Sequence, residues 1–331
     1  MNRLIYLALS IALISCGQKG TNEAAAAADT ASAPASTAPV FDGDSAYSYV
    51  SRQVAFGPRV PNTDAHKSCS KYLASEIKRF GAKVYQQETA LTAYNGTQLQ
   101  VCNIIGSFNP ENSKRILLFA HWDTRPFSDE DANPENFRKP IDGADDGASG
   151  VGVLLEIARQ LGLKNPNIGI DIAFFDAEDY GVAKFDREKY KDTNETWCLG
   201  TQFWTKNPHV KNYKADYGIL LDMVGAKNAV FYKEYTSMRY AARFVDDIWD
   251  TARDLGYGKY FIASDGGAIV DDHEFVNKGL NIPCLDIINY DPQSETGFAS
   301  YWHTQNDNMQ NIDRNVLKAV GQTLLETIYK Q

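Results

Sequence analysis

The chain is poor in cysteine: five stand in 331 residues, and none forms a CxxC pair. That spacing argues against a zinc-thiolate site and leaves any disulfide pairing of Cys69, Cys102, Cys198 and Cys284 undetermined. Once the first residues are set aside, no apolar run approaches the ~20 residues a membrane-spanning helix needs. No internal repeat is visible. Basic residues are the minority charge: 33 Lys and Arg against 42 Asp and Glu leave a formal net charge of −9, which argues against nucleic acid as a partner. What is present is a chain that is 44% hydrophobic, with ample core to bury beyond its N-terminal segment.

The first sixteen residues stand apart from the fold. Arg3 gives a positive start, Leu4 to Ile14 a short apolar stretch, and Leu13 to Cys16 a small-residue cleavage site ending in cysteine. The pattern resembles a bacterial lipoprotein signal, which implies cleavage before Cys16, lipid attachment to its thiol, and a position in the cell envelope facing the periplasm or cell surface. An ordinary secretory signal with a chance cysteine is the alternative. Residues 17–40, rich in Ala, Ser, Thr and Pro, read as a flexible linker. The catalytic domain is expected over residues 41–331.

Within that domain, residues 64–80 carry Cys69, Tyr72, Leu73, Ile77 and Phe80 at helical spacing, and Gly81 stops the helix. Apolar, β-rich runs follow at Leu99–Ile105, Ile116–Ala120, Ile170–Phe175, Tyr217–Leu221 and Cys284–Ile288. Helical patterns lie between and after them at 149–161, with Gly162 as its C-cap, and at 237–255 and 312–330. This alternation predicts a single α/β domain with a central mixed, mostly parallel twisted sheet flanked by helices. Ligands of such sheets bind beyond the carboxyl ends of the strands.

Polar residues collect at those ends. His121 to Asp123 follow the second run, Asp145 and Asp146 open a helix, and Glu178 and Asp179 follow Phe175. Asp222 follows Leu221, Asp271-Asp272-His273 precedes a short helix, and Tyr301 to Asp307 come after the last strand. Each alone reads as a cap or turn residue. Together, so many like charges at one sheet edge require a compensating cation. Oxygen donors with one or two imidazoles and no thiolate suit a catalytic zinc. Calcium fits less well, because no EF-hand loop is present.

The ordered set HWD, GADDGASG, a strand ending in Glu178-Asp179, a strand ending in Asp222 and a late His303-Thr304 resembles the zinc aminopeptidases with co-catalytic metals. The bacterial glutaminyl-peptide cyclases belong to the same superfamily. The resemblance implies that Asp146, Asp179 and His303 bind zinc and that Glu178 is the general acid/base. Trp302 and Phe298 match aromatic walls of the cyclase pocket, and Asp271 matches a residue networked with Glu178 and Asp222. Trp197 is a further candidate for the pocket lining, or a core residue. In the aminopeptidases, His121 and Asp222 hold a second metal. Here one zinc is expected, with His121 paired to Asp123, and a second zinc stays open. The expected reaction is conversion of the N-terminal glutamine of peptides and proteins to pyroglutamate with loss of ammonia. A dinuclear aminopeptidase is the alternative, and a non-catalytic lipid-anchored binding protein a remote one.

Overall fold

A computed structural model describes residues 36–331, and those from Thr37 onward form one compact unit. Cys16 and most of the linker lie outside the described residues. Residues 37–40 run against the domain: Gln322 donates to the Pro39 carbonyl, Gln160 to that of Val40, and the Phe41 amide donates to Gln322 Oε1.

Six strands make the main sheet: β1 (Lys83–Thr92), β2 (Gln98–Phe108), β3 (Arg115–His121), β4 (Gly169–Phe175), β5 (Tyr217–Asp222) and β8 (Cys284–Ile288). Their order is β1-β2-β4-β3-β5-β8. The β3/β4, β3/β5 and β5/β8 pairs are parallel, and β1/β2 and β2/β4 are antiparallel. A separate two-stranded sheet joins β6 (Phe231–Lys233) to β7 (Phe261–Asp265).

The central strands are apolar on both faces because both faces are covered. Ile116, Leu118 and Ala120 point into the larger core, shared with Ile170, Ile172 and Phe174. Over that face lie α1 (Gly43–Val54), α2 (Asp64–Arg79), α3 (Ala148–Leu163), α5 (Tyr235–Asp254) and α7 (Arg314–Tyr329). Leu117, Phe119, Ala173 and Phe175 face the opposite core, covered by α4 (Leu199–Lys206) and α6 (Asp272–Leu280). Asp171 sits inside β4 but is fully paired, with Arg115 Nε at 2.5 Å and the hydroxyls of Tyr213 and Ser107 at 2.8 and 2.5 Å.

One sequence reading is corrected. Gly162 is not a C-cap; α3 continues to Leu163 and Lys164 caps it. The glycine is needed for close approach, since a Cβ there would stand 2.3 Å from the Phe80 carbonyl oxygen. The four described cysteines are all free and buried.

His209 gives the fold an acid-side weakness. Its ring packs on Tyr85 and Tyr213, and Trp204 Nε1 donates to its Nδ1 at 3.2 Å, which requires the neutral imidazole. Burial pushes its pKa down to about 4. The contribution is therefore complete above the unfolded value of ~6.5 and is lost as pH falls toward 4. The melting temperature of His209→Phe should decline less than the parent's over that window, checked by parallel thermal scans.

Candidate active site and metal centre

The parallel strands β3, β4 and β5 end side by side, so residues distant in sequence meet. His121 closes β3, Asp222 closes β5, and Glu178 and Asp179 follow β4. Asp146 comes from the turn before α3, where Gly147 has φ of +93°. A Cβ at Gly147 would lie 2.8 Å from the Asp123 carbonyl oxygen and 3.0 Å from His121 Cε1, so only glycine lets this turn meet β3. His303 arrives from the loop after β8.

Asp146 stands between two imidazoles. Its Oδ1 is 3.0 Å from His121 Nε2, and its Oδ2 is 3.5 Å from His303 Nε2. His303 Nε2 also lies 3.2 Å from Asp179 Oδ1, and His121 Nε2 lies 3.2 Å from Asp222 Oδ1. Two triads thus share Asp146: Asp146, Asp179 and His303, and His121, Asp146 and Asp222. Glu178 belongs to neither. Its neighbours are the Cys198 thiol, 3.4 Å from Oε1, and Asp271, which caps α6.

The surrounding residues hold this arrangement. Asp123 accepts from the amides of Glu178 and Asp179 at 3.1 and 3.2 Å, so it fixes the turn after β4. The expected His121–Asp123 pairing is loose, at 3.5 Å. Asp307 accepts from the amides of Asp145 and Asp146, and Tyr301 donates to Asp145 at 2.8 Å. Arg125 grips Asp129 at 2.6 Å, reaches Asp179 Oδ1 at 3.3 Å and lies 4.9 Å from the Trp197 ring centroid. Ala177, Cys198 and His303 take positive φ between 52° and 55°, backbone strain gathered around the reacting groups.

Sequence reasoning passed over Arg125 and the Cys198 thiol. An arginine two residues after HWD was the available signal for the first; for the second there was none. Asp176, part of the same acidic stretch as Glu178, faces away. It pairs with His66 at 2.8 Å and accepts from the Cys102 amide.

Burial dominates the electrostatics. It pushes the Glu178 carboxyl well above its ordinary range, against His121 and with help from Asp271 and Asp179. Asp271 is raised in the same way, reinforced by Asp222 and Asp272. Burial would lower His121, but contact with Asp123, Asp146 and Asp222 lifts it well above an ordinary histidine. At Asp146 the two imidazoles outweigh burial and hold the carboxyl down.

A zinc ion fits the first triad on two grounds. Two carboxylates and one imidazole are borderline-hard donors suited to a catalytic site with an open position. Asp179 Oδ2 is also buried without a hydrogen-bond partner, so a donor atom is directed there unused. In the second triad, His121 is already in direct contact with both carboxylates. A pocket of about 390 Å³ opens over the first triad, lined by Glu178, Trp197, Ile269, Asp271, Phe298 and Trp302 among others. Trp302 stacks on His303 at 3.6 Å, and Phe298 leans on Trp302 at 4.5 Å. The pocket therefore has an aromatic wall built directly onto a metal ligand.

A carboxylate–imidazole metal site at the carboxyl edge of a mixed α/β sheet, with an uncommitted buried glutamate beside it, defines a zinc exopeptidase-like enzyme. The signature of peptidase family M28 matches residues 103–328, and the chain belongs to that family. Its structure is similar to that of a zinc-dependent exopeptidase from Parabacteroides distasonis, with 69% identity, a TM-score of 0.87, and coverage of 89% of this chain and 100% of the other. It is similar also to Tannerella forsythia glutaminyl cyclase, with 65% identity, a TM-score of 0.86, and coverage of 88% and 100%. Bovine glutaminyl-peptide cyclotransferase is 26% identical over 294 residues, 80% of this chain and 76% of that one.

Proposed function

We propose that the chain is a zinc-dependent glutaminyl-peptide cyclotransferase. It closes an N-terminal glutamine into pyroglutamate and releases ammonia. The observation that carries the reading is the aromatic pocket of Trp302 and Phe298 set over the Asp146–Asp179–His303 triad, with Glu178 free beside it. Similarity to the glutaminyl cyclases supports it.

A zinc held by Asp146, Asp179 and His303 supplies Lewis acidity toward the γ-carbonyl oxygen of the glutamine. The protein does the rest. The pocket folds the side chain so that the α-nitrogen stands near the γ-carbon and bulk water is kept out. Glu178 accepts a proton from the α-amine as the new C–N bond forms, then gives it to the departing amide nitrogen as the old C–N bond breaks. Asp271 and Asp222, both buried, keep the proton of Glu178 within a shared acidic group. The contact of His121 with Asp146 and Asp222 supports one zinc per chain.

The second triad also favours, as an alternative, a dinuclear aminopeptidase. Incubation with a Gln-initiated and a Leu-initiated peptide decides between them. The cyclase releases ammonia from the first and no amino acid from the second; free leucine reverses the assignment.

Among the described residues no helix is long and apolar enough to cross a membrane. Attachment through a lipid on Cys16, followed by a linker and the catalytic domain, places the enzyme on the cell envelope in this reading. Cys16→Ser should block lipid attachment and shift the protein out of the membrane fraction, with turnover of the purified domain unchanged. Undiminished membrane retention would defeat the anchor.

A further inference from the structure

We infer that Glu234 is a positioning residue for the reaction: its buried carboxylate fixes the chain on both sides of Asp271 and so sets Asp271 beside Glu178. This rests on the reading of Glu178 and Asp271 as the groups that handle the proton.

Glu234 is 2% exposed and precedes α5. As the cap of that helix it accepts from the Thr236 and Ser237 amides at 2.8 and 2.6 Å and from the Ser237 hydroxyl at 2.8 Å. A capping carboxylate needs no more than this. Glu234 goes further. Its Oε1 accepts from the Ile269 amide at 3.0 Å, and its Oε2 lies 3.2 Å from His273 Nε2. Ile269 belongs to the pocket wall two residues before Asp271, and His273 lies in the first turn of α6 two residues after it. One carboxylate therefore clamps the segment that delivers Asp271 from both directions.

The clamp reaches the sheet as well. The Ser237 hydroxyl that donates to Glu234 accepts from the Asp286 amide of β8 at 2.9 Å. The neighbouring tie, from the Tyr235 amide to the Gly267 carbonyl at 3.1 Å, holds the start of the same wall. Burial acts to raise the Glu234 carboxyl, but the His273 contact and the two helix amides outweigh it and bring it down to about 2, so the clamp is ionised and strong at neutral pH.

Aspartate in place of Glu234 separates capping from clamping. It caps a helix as well as glutamate does, but one methylene shorter it cannot also span to Ile269 and His273. Glu234→Asp should keep its zinc and its melting temperature, exchange the Ile269 amide hydrogen faster, and lose ~10- to 100-fold in kcat, the scale of a small misplacement of a reacting group. His273→Gln should show a smaller loss in the same direction. Turnover within about twofold of the parent in both variants would overturn the inference. So would losses that follow zinc content or melting temperature in both, since the role would then be structural alone. Asp271→Asn distinguishes the two levels. Full activity there removes the proton-pair reading itself, whereas loss there with parental turnover in Glu234→Asp removes only the positioning role.

Discussion

His303→Ala should yield a folded chain without zinc, and ammonia release from a Gln-initiated peptide should fall by ~1,000-fold or more. The magnitude follows because Lewis-acid stabilisation is worth several kcal/mol and each ~1.4 kcal/mol is tenfold in rate. His303 is the imidazole of the Asp146–Asp179–His303 triad, and the other two donors are carboxylates that repel each other once it is gone. Arg125, 3.3 Å from Asp179 Oδ1, takes up part of that charge and favours the metal-free state. The backbone complicates the variant in a known way. His303 has φ of 53°, a region that asparagine tolerates better than alanine, so His303→Asn is the companion with less strain. Both should lose the metal. His121→Gln is the control, because His121 contacts Asp146 and Asp222 without entering the proposed ligand set. Elemental analysis should find one zinc per chain in the parent and in His121→Gln, and none in the His303 variants. Two zincs in the parent, one of them lost with His121, would transfer the assignment to a dinuclear aminopeptidase.

The parts that could be read from the sequence were those with a local signature. The five central strands announce themselves as apolar runs because they are buried on both faces. Their carboxyl ends stand out because acidic residues follow such runs nowhere else. The edge was harder. In β1 exposed and half-buried residues alternate without a clean apolar face, because nothing covers that edge of the sheet on both sides. β6 and β7, three and five residues long, pair only with each other as a sheet and carry too little pattern to detect. Gly162 looked like a helix stop because spacing shows where a glycine lies along a helix but not what packs against it. The same limit applies to the site. Asp123 was placed beside His121 by adjacency, yet its carboxylate serves amides 55 and 56 residues away. Glu234 and Ile269 are 35 residues apart, and only the packing of α5 against the pocket wall joins them.

Glu178→Gln should lower turnover by ~100- to 10,000-fold, the range for loss of general acid–base catalysis, with zinc content and KM little changed. The separation of effects follows from the geometry. Glu178 is outside the Asp146–Asp179–His303 triad, so its amide should leave the metal in place. Its backbone position is set by Asp123, which accepts from its N–H whatever the side chain is. Glutamine has the same size and can still face the Cys198 thiol, now 3.4 Å from Oε1. What it cannot do is take a proton from the attacking amine and return it to the leaving nitrogen. Burial, with Asp271 and Asp179, pushes the glutamate upward, and His121 opposes them. A carboxyl raised toward neutrality is a better proton acceptor than an ordinary glutamate and still a competent donor to ammonia. Asp271→Asn should depress turnover as well, by removing the neighbour that helps keep Glu178 high. An aminopeptidase mechanism gives Asp271 no comparable task. Near-parental cyclisation by Glu178→Gln, or loss of zinc from it, would show that base and ligand have been exchanged within the Glu178-Asp179 pair.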